Sequence, residues 1–227
     1  MIDEENISPL DAKTYLDASN FNNIMKKRGI TNRYARWAIM CIIGKESGFK
    51  PLQENCYNDT ANSRIRTHFS RLENASDSFI NTLKSDCKKF FSYVYEFGAG
   101  NRQGYPDGYT YRGRGLNQLT HRANYQKYGD AIKVNLVDNP ELMLNLDIAM
   151  AVAVQFMING GKSTRGKTTL KNRLGIETIN DFKNIDDAIH FFANVNAGLG
   201  RDWNGRVVTN AVRSANKQKS KFNLVSV

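Results

Sequence analysis

The sequence predicts a mainly α protein, lobed, with one small β element. Three observations carry that expectation. Apolar residues recur at helical spacing in several separate segments, two of the longest close on glycine, and only YTYRGRGLNQLT, residues 109–120, alternates as a strand does. Thr31 caps a first segment in which Tyr34, Trp37, Ala38, Cys41 and Ile42 share a face, and Ser47-Gly48 marks its end. SDSFINTLKSDCKKFFSYVYEF, residues 76–97, predicts a second amphipathic helix, followed by the loop GAGNRQGYPDG. PELMLNLDIAMAVAVQFMING (140–160) and NIDDAIHFFANVNAG (184–198) predict two more, each closed by glycine. The apolar run at 148–158 is interrupted by Gln155 and is far shorter than the roughly 18 residues of a membrane span, so it reads as a core helix.

The chain has 227 residues, 41% hydrophobic and 11% aromatic, enough for one large domain with a buried core. Its formal charge of +10 points to a polyanionic partner: nucleic acid, anionic lipid or an acidic cell-wall polymer. Charge alone does not choose among them. Cys41, Cys56 and Cys87 are odd in number and form no CxxC pair, which predicts three free thiols and folding in a reducing cytoplasm. The opening MIDEENISPL is acidic and lacks an apolar core, so no secretory signal is expected.

Chemistry concentrates in three places. Residues 110–129, TYRGRGLNQLTHRANYQKYG, combine glycines, arginines, tyrosines and amide side chains as a binding wall would. Glu46, in CIIGKESGFKP, ends the helix that begins near Thr31, where the negative end of the helix dipole and a poorly hydrated wall disfavour its ionised form, as a general acid requires. Glu54, in LQENCYND, follows eight residues later across Gly48 and Pro51, and two carboxylates joined by a short loop suit glycosidic cleavage. Against these, GKSTRGKT (161–168) matches the phosphate-loop pattern, but a core helix precedes it where a strand is needed, so it reads as a basic surface loop. His68, His121 and His190 are isolated, and neither H-E-x-x-H nor G-x-S-x-G occurs, which leaves metal and serine-nucleophile chemistry unsupported.

KESGFKPLQENCYND and YRGRGLNQLTHRANYQKYG resemble motifs of glycoside hydrolase family 19, specifically its phage endolysin branch. The likeness continues through LVDNPELMLNLDIAMAVAVQFM and fades at NVNAGLGRDWNGR, where the family has an Asn-Gly-Gly turn and this chain has Asn196-Ala197-Gly198. It implies a lysozyme-like two-lobed fold with the substrate cleft between the lobes. The chain would form one catalytic domain over 1–227, with an N-terminal extension at about 1–25 and a smaller lobe within about 55–110. Residue by residue, the resemblance implies Glu46 as the acid and Glu54 as the base or the base's partner. Thr120 would hold the attacking water, Gln118, Asn124 and Tyr111 would face the sugars, and Asn196 and Arg206 would close the far side. Glu73 and Glu96 are the alternative bases. Lys45 stands where the family usually has His.

The implied activity is hydrolysis of the β-1,4-linked glycan of peptidoglycan, without cofactor or metal, with inversion if the carboxylates stand about 6.5 to 9.5 Å apart. The implied protein is monomeric, binds glycan strands rather than nucleic acid, and does not insert into membranes. It is made in a host cytoplasm and reaches the wall through holin lesions or on a virion. Chitin is the alternative polymer. ESGFKP and GLNQL also resemble lytic transglycosylases, though 72 residues separate Glu46 from Gln118. A non-catalytic wall-binding or nucleic-acid-binding module is the third reading.

Overall fold

A computed structural model describes residues 12–198 and 201–222, so the acidic opening segment and much of the expected N-terminal extension lie outside the described residues. The chain divides into two compact units, one drawing on residues up to Lys50 and from Met150 onward, the other on Pro51–Ala149. The second unit takes in more chain than the 55–110 expected for a smaller lobe.

Helix α1 (Ala12–Lys27) contributes Ala18, Phe21 and Met25 to the core of the first unit, each fully buried. Helix α2 (Arg33–Ser47) carries an unbroken buried run from Ala38 to Ile43, the pattern of a helix enclosed on every side. Its cap is Asn32 rather than Thr31: the Asn32 side chain accepts from Ala35 N at 3.0 Å and donates to Phe182 O at 2.9 Å, so one amide both caps the helix and holds a distant loop. Buried Arg36 donates to Asn22 Oδ1 at 2.9 Å and to Ile30 O at 3.0 Å, tying α2 to the end of α1. Gly48, at φ 57°, closes α2 with its N–H on Gly44 O.

In the second unit, β1 (Leu52–Gln53) is followed by α3 (Asn62–His68), α4 (Asp77–Lys84), α5 (Cys87–Val94) and α6 (Asp107–Thr110). The single helix expected over 76–97 is two. The Asp86 carboxylate accepts from Lys88 N and Lys89 N and so starts a new helix at Cys87. Strand β2 (Arg114–Gly115) pairs antiparallel with β1, Leu52 opposite Gly115 and Gln53 opposite Arg114, and α7 (Arg122–Ile132) follows. Ile65, Phe69, Leu72, Ile80, Phe90 and Phe91 form this unit's aromatic-rich core, with Tyr57 stacked on Phe90.

The free-thiol expectation is corrected here. Cys56 and Cys87 are joined by a disulfide, their Cα atoms 5.3 Å apart, and only Cys41 remains a thiol. Neither the odd count nor the 31-residue separation signals a bridge that tertiary packing creates.

A 3-10 turn over Pro140–Leu144 precedes α8 (Leu146–Lys162), so the helix expected from residue 140 starts later. Gly160 and Gly161 lie inside α8 instead of closing it. A Cβ on either would stand 2.4 Å from a side-chain carbon, Val195 Cγ1 or Ile179 Cγ2, so both serve close packing. Helix α9 (Thr164–Leu174) is capped by Ser163, α10 spans Ile185–Ala197, α11 Arg206–Asn216 and α12 Lys219–Phe222. GKSTRGKT is therefore not the surface loop expected: it lies in α8 and α9 with only Ser163 between them, and no strand precedes it. Mainly helical with one two-stranded sheet, the described residues match the expected class, and no helix among them is long and apolar enough to cross a membrane.

One ion pair gives this fold a pH dependence. Asp107 is 2% exposed and takes both Arg102 Nε and Arg102 Nη2 at 2.9 Å, which with the Arg102 backbone N–H holds its carboxyl below the usual carboxylate range. A lowered folded-state value means stability that is present above the unfolded value of about 3.9 and lost as pH falls through the folded one. Urea midpoints of the wild type and Asp107→Asn should therefore differ at pH 6, and the difference should shrink as pH falls below the unfolded value of about 3.9. A constant difference across that range would contradict the pairing.

Candidate active site

Within the first unit, the last turn of α2 presents Glu46 to the last turn of α10. Glu46 Oε1 receives Lys45 Nζ at 2.5 Å and Asn196 Nδ2 at 3.1 Å. The Glu46 side chain is 26% exposed, on a cavity of about 510 Å³ that Lys45, Asn196, Arg201, Asn210 and Ser214 also line. Asn196 Oδ1 is buried without a hydrogen-bond partner among the described residues, an acceptor aimed where a donor is owed. The Lys45 ammonium sits as close to the carboxylate as an ion pair allows and opposes the negative end of the helix dipole there. Arg206 begins α11 at the surface and does not line this cavity; Arg201 does. Asn210 and Ser214, spaced i and i+4 on α11, were not singled out, although the apolar Val207 and Ala211 alternate with them on the same face.

Within the second unit, Glu54 follows β1 and is built into a cradle. Its carboxylate accepts from Tyr57 Oη at 3.0 Å, from Tyr95 Oη at 2.9 and 3.2 Å, and from Gly113 N at 3.1 Å. Its own N–H donates to Gly113 O at 2.8 Å, locking the residue to the YRGRG stretch. Burial first, then the Glu54 charge, pushes both phenols well above the ordinary tyrosine value, so both remain donors. Neither tyrosine was singled out in the sequence. Tyr57, three residues past Glu54 in ENCYND, carries the fainter of signals, and Tyr95 carries none without the fold.

The glycines of the binding wall have a definite use. A Cβ on Gly113 would lie 2.8 Å from Gln118 Oε1 and 3.2 Å from Glu54 Oε2, so this position stays bare to admit both side chains. Gln118, at φ 52°, donates to Leu52 O at 3.1 Å. Asn124 Nδ2 donates to Thr120 O at 2.8 Å, which fixes the start of α7 and the backbone of Thr120 together. Tyr111, expected to offer its ring to a sugar, is 4% exposed, donates to Val137 O and packs against Tyr125: it belongs to the core. Glu96 is paired with Arg71 at 3.0 Å and Glu73 is exposed, so Glu54 alone of the three candidate bases has converging donors. His121 lies 5.3 Å from the Tyr95 ring, half-buried and held below the ordinary histidine value by that burial. Among the described residues no three His, Cys, Asp or Glu side chains are grouped as a metal requires.

Residues 90–167, about a third of the chain, match the family model of chitinase class I. Over that segment, from within α5 into α9, the chain is similar to glycoside hydrolase family 19. Within it fall Tyr95, Gly113, Gln118, Thr120 and Asn124; Glu46 and Glu54 precede it. The chain is similar to Chitinase 11 of Oryza sativa subsp. japonica, 53% identical over 38 residues, 17% of this chain and 15% of that protein's length.

Proposed function

We propose that the chain is a glycosidase that hydrolyses the β-1,4 linkage between amino sugars, and that its substrate is peptidoglycan. The Glu54 cradle carries the reading: three donors, two of them from the segment matched to family 19, converge on one carboxylate beside the YRGRG stretch. Glu46 gives its proton to the glycosidic oxygen as the C–O bond breaks, and Glu54 takes a proton from the water that bonds to the anomeric carbon. Thr120 orients that water, and Gln118, Asn124 and Asn196 bind the sugars. Peptidoglycan is favoured over chitin by the net charge of +10, which suits an anionic polymer and has no purpose toward a neutral one. The Cys56–Cys87 bridge supports action where disulfides persist, outside a reducing cytoplasm. We read the protein as a monomeric endolysin of phage or prophage origin, delivered to the wall by a holin or a virion and needing no cofactor.

Comparing kcat/KM on purified peptidoglycan and on chitin oligosaccharides tests the substrate. Preference for peptidoglycan, weakening with salt, is expected; turnover of chitin alone would overturn it. The cradle makes a second expectation. Tyr95→Phe keeps the ring stacked on Phe91 and removes only the hydroxyl, so turnover should fall about tenfold or more while thermal stability changes little. Unchanged turnover would show that Tyr95 does not position Glu54.

A further inference from the structure

A second cavity of the first unit, about 450 Å³, takes no part in the chemistry above. Arg165 and Thr168 from the first turns of α9, Arg173 near its end, and Arg201, Asp202 and Trp203 line it. Its lining therefore carries three arginines, Arg165, Arg173 and Arg201, against one carboxylate, Asp202, a net positive charge that suits an anionic ligand. Arg165 and Thr168 come from GKSTRGKT, the stretch whose phosphate-loop pattern the fold rejects.

The floor of this cavity is fixed in place. His190 stacks on the Trp203 ring, centroids 4.1 Å apart and planes 8° from parallel, and its Nε2 lies 2.8 Å from Trp203 O. The Arg173 guanidinium stands over the same ring at 5.6 Å. Arg201 Nε donates to Ala197 O at 2.7 Å, and buried Asn194 donates to Arg201 O at 3.4 Å. Arg201 lines this cavity and the one that holds Glu46. A ligand lying along Glu46 therefore meets the basic cavity at Arg201, and what reaches it there is a side branch of the same molecule.

Building on the proposed activity, we infer that the cavity is a subsite for the carboxylates of the peptide stems that branch from alternate sugars of peptidoglycan. Planar guanidinium groups bind carboxylates through paired hydrogen bonds, and Thr168 offers a hydroxyl to the amides of the stem. A neutral, unbranched glycan has nothing to place there. The site is thus what separates peptidoglycan from chitin.

The test is the double variant Arg165→Ala/Arg173→Ala, which leaves the Glu46 cavity untouched. It is assayed on peptidoglycan, on the same glycan after an amidase has removed its stems, and by titrating a free stem tetrapeptide while following the Trp203 indole N–H by NMR. On stem-bearing glycan kcat/KM should fall about tenfold or more, and on stripped glycan it should equal the wild type's. The tetrapeptide should shift the Trp203 signal in the wild type and not in the variant. An equal loss on both glycans, or no loss on the stem-bearing one, would overturn the subsite. So would a Trp203 response to a polyglycerol phosphate and none to the tetrapeptide, which would assign the cavity to wall phosphates. If the wild type cleaves neither glycan, the proposed activity fails, and the tetrapeptide titration still decides the subsite by itself.

Discussion

Glu46→Gln is expected to lower glycan turnover by about 10²–10⁴-fold, the contribution of a positioned general acid, and to leave the fold intact. The amide has the shape of the carboxyl, and its oxygen can still accept from Asn196 Nδ2 and Lys45 Nζ, so the end of α2 keeps its contacts. What it lacks is a transferable proton. Initial rates on soluble glycan fragments, with thermal unfolding as the control for folding, measure the difference. Near-normal turnover with a normal unfolding transition would remove Glu46 from the chemistry.

Loss of the Cys56–Cys87 bridge is expected to cost both stability and turnover. Closing a loop between residues 31 apart restricts the unfolded chain by about 3–4 kcal/mol in the chain-entropy treatment. The bridge also pins the segment that carries Glu54 and Tyr57 to the first turn of α5, and Tyr95 caps the far end of that helix. Reduction therefore loosens two of the three donors that hold Glu54. Cys41 does not confuse the experiment, because burial pushes its thiol up to about 12 and keeps it unreactive. Urea unfolding and turnover, with and without reductant and for Cys56→Ser, should fall together. A reduced protein with an unchanged midpoint and full turnover would show that the bridge positions nothing.

The local signals in the sequence located α2 and α10 well, because each repeats its apolar residues at a helical period and each has a polar cap and a glycine end. They failed where a side chain or a distant contact outranked periodicity. Asp86 divides 76–97 because its carboxylate competes for two backbone N–H groups. Gly160 and Gly161 read as a stop, yet Val195 and Ile179 need the room they leave. Of the candidate site, Glu46 and Glu54 were legible as carboxylates flanking a helix end, and Asn196 does meet Glu46. Tyr111 read as a sugar platform since its burial against Tyr125 depends on the fold, and Tyr57, Tyr95, Arg201 and the Cys56–Cys87 bridge are tertiary facts with no local pattern. His121 is the converse case: at φ 73° and ψ 141° it holds a backbone conformation that glycine adopts freely, which no composition reveals.

The most direct measurement of the central claim is mass spectrometry of the soluble products released from purified peptidoglycan by the wild type and, in parallel, by Glu46→Gln. Two-carboxylate hydrolysis predicts muropeptides with free reducing ends, each carrying the elements of one water, from the wild type alone. Anhydro-muropeptides, formed without water, would contradict it and leave Glu54 without the role its cradle suggests.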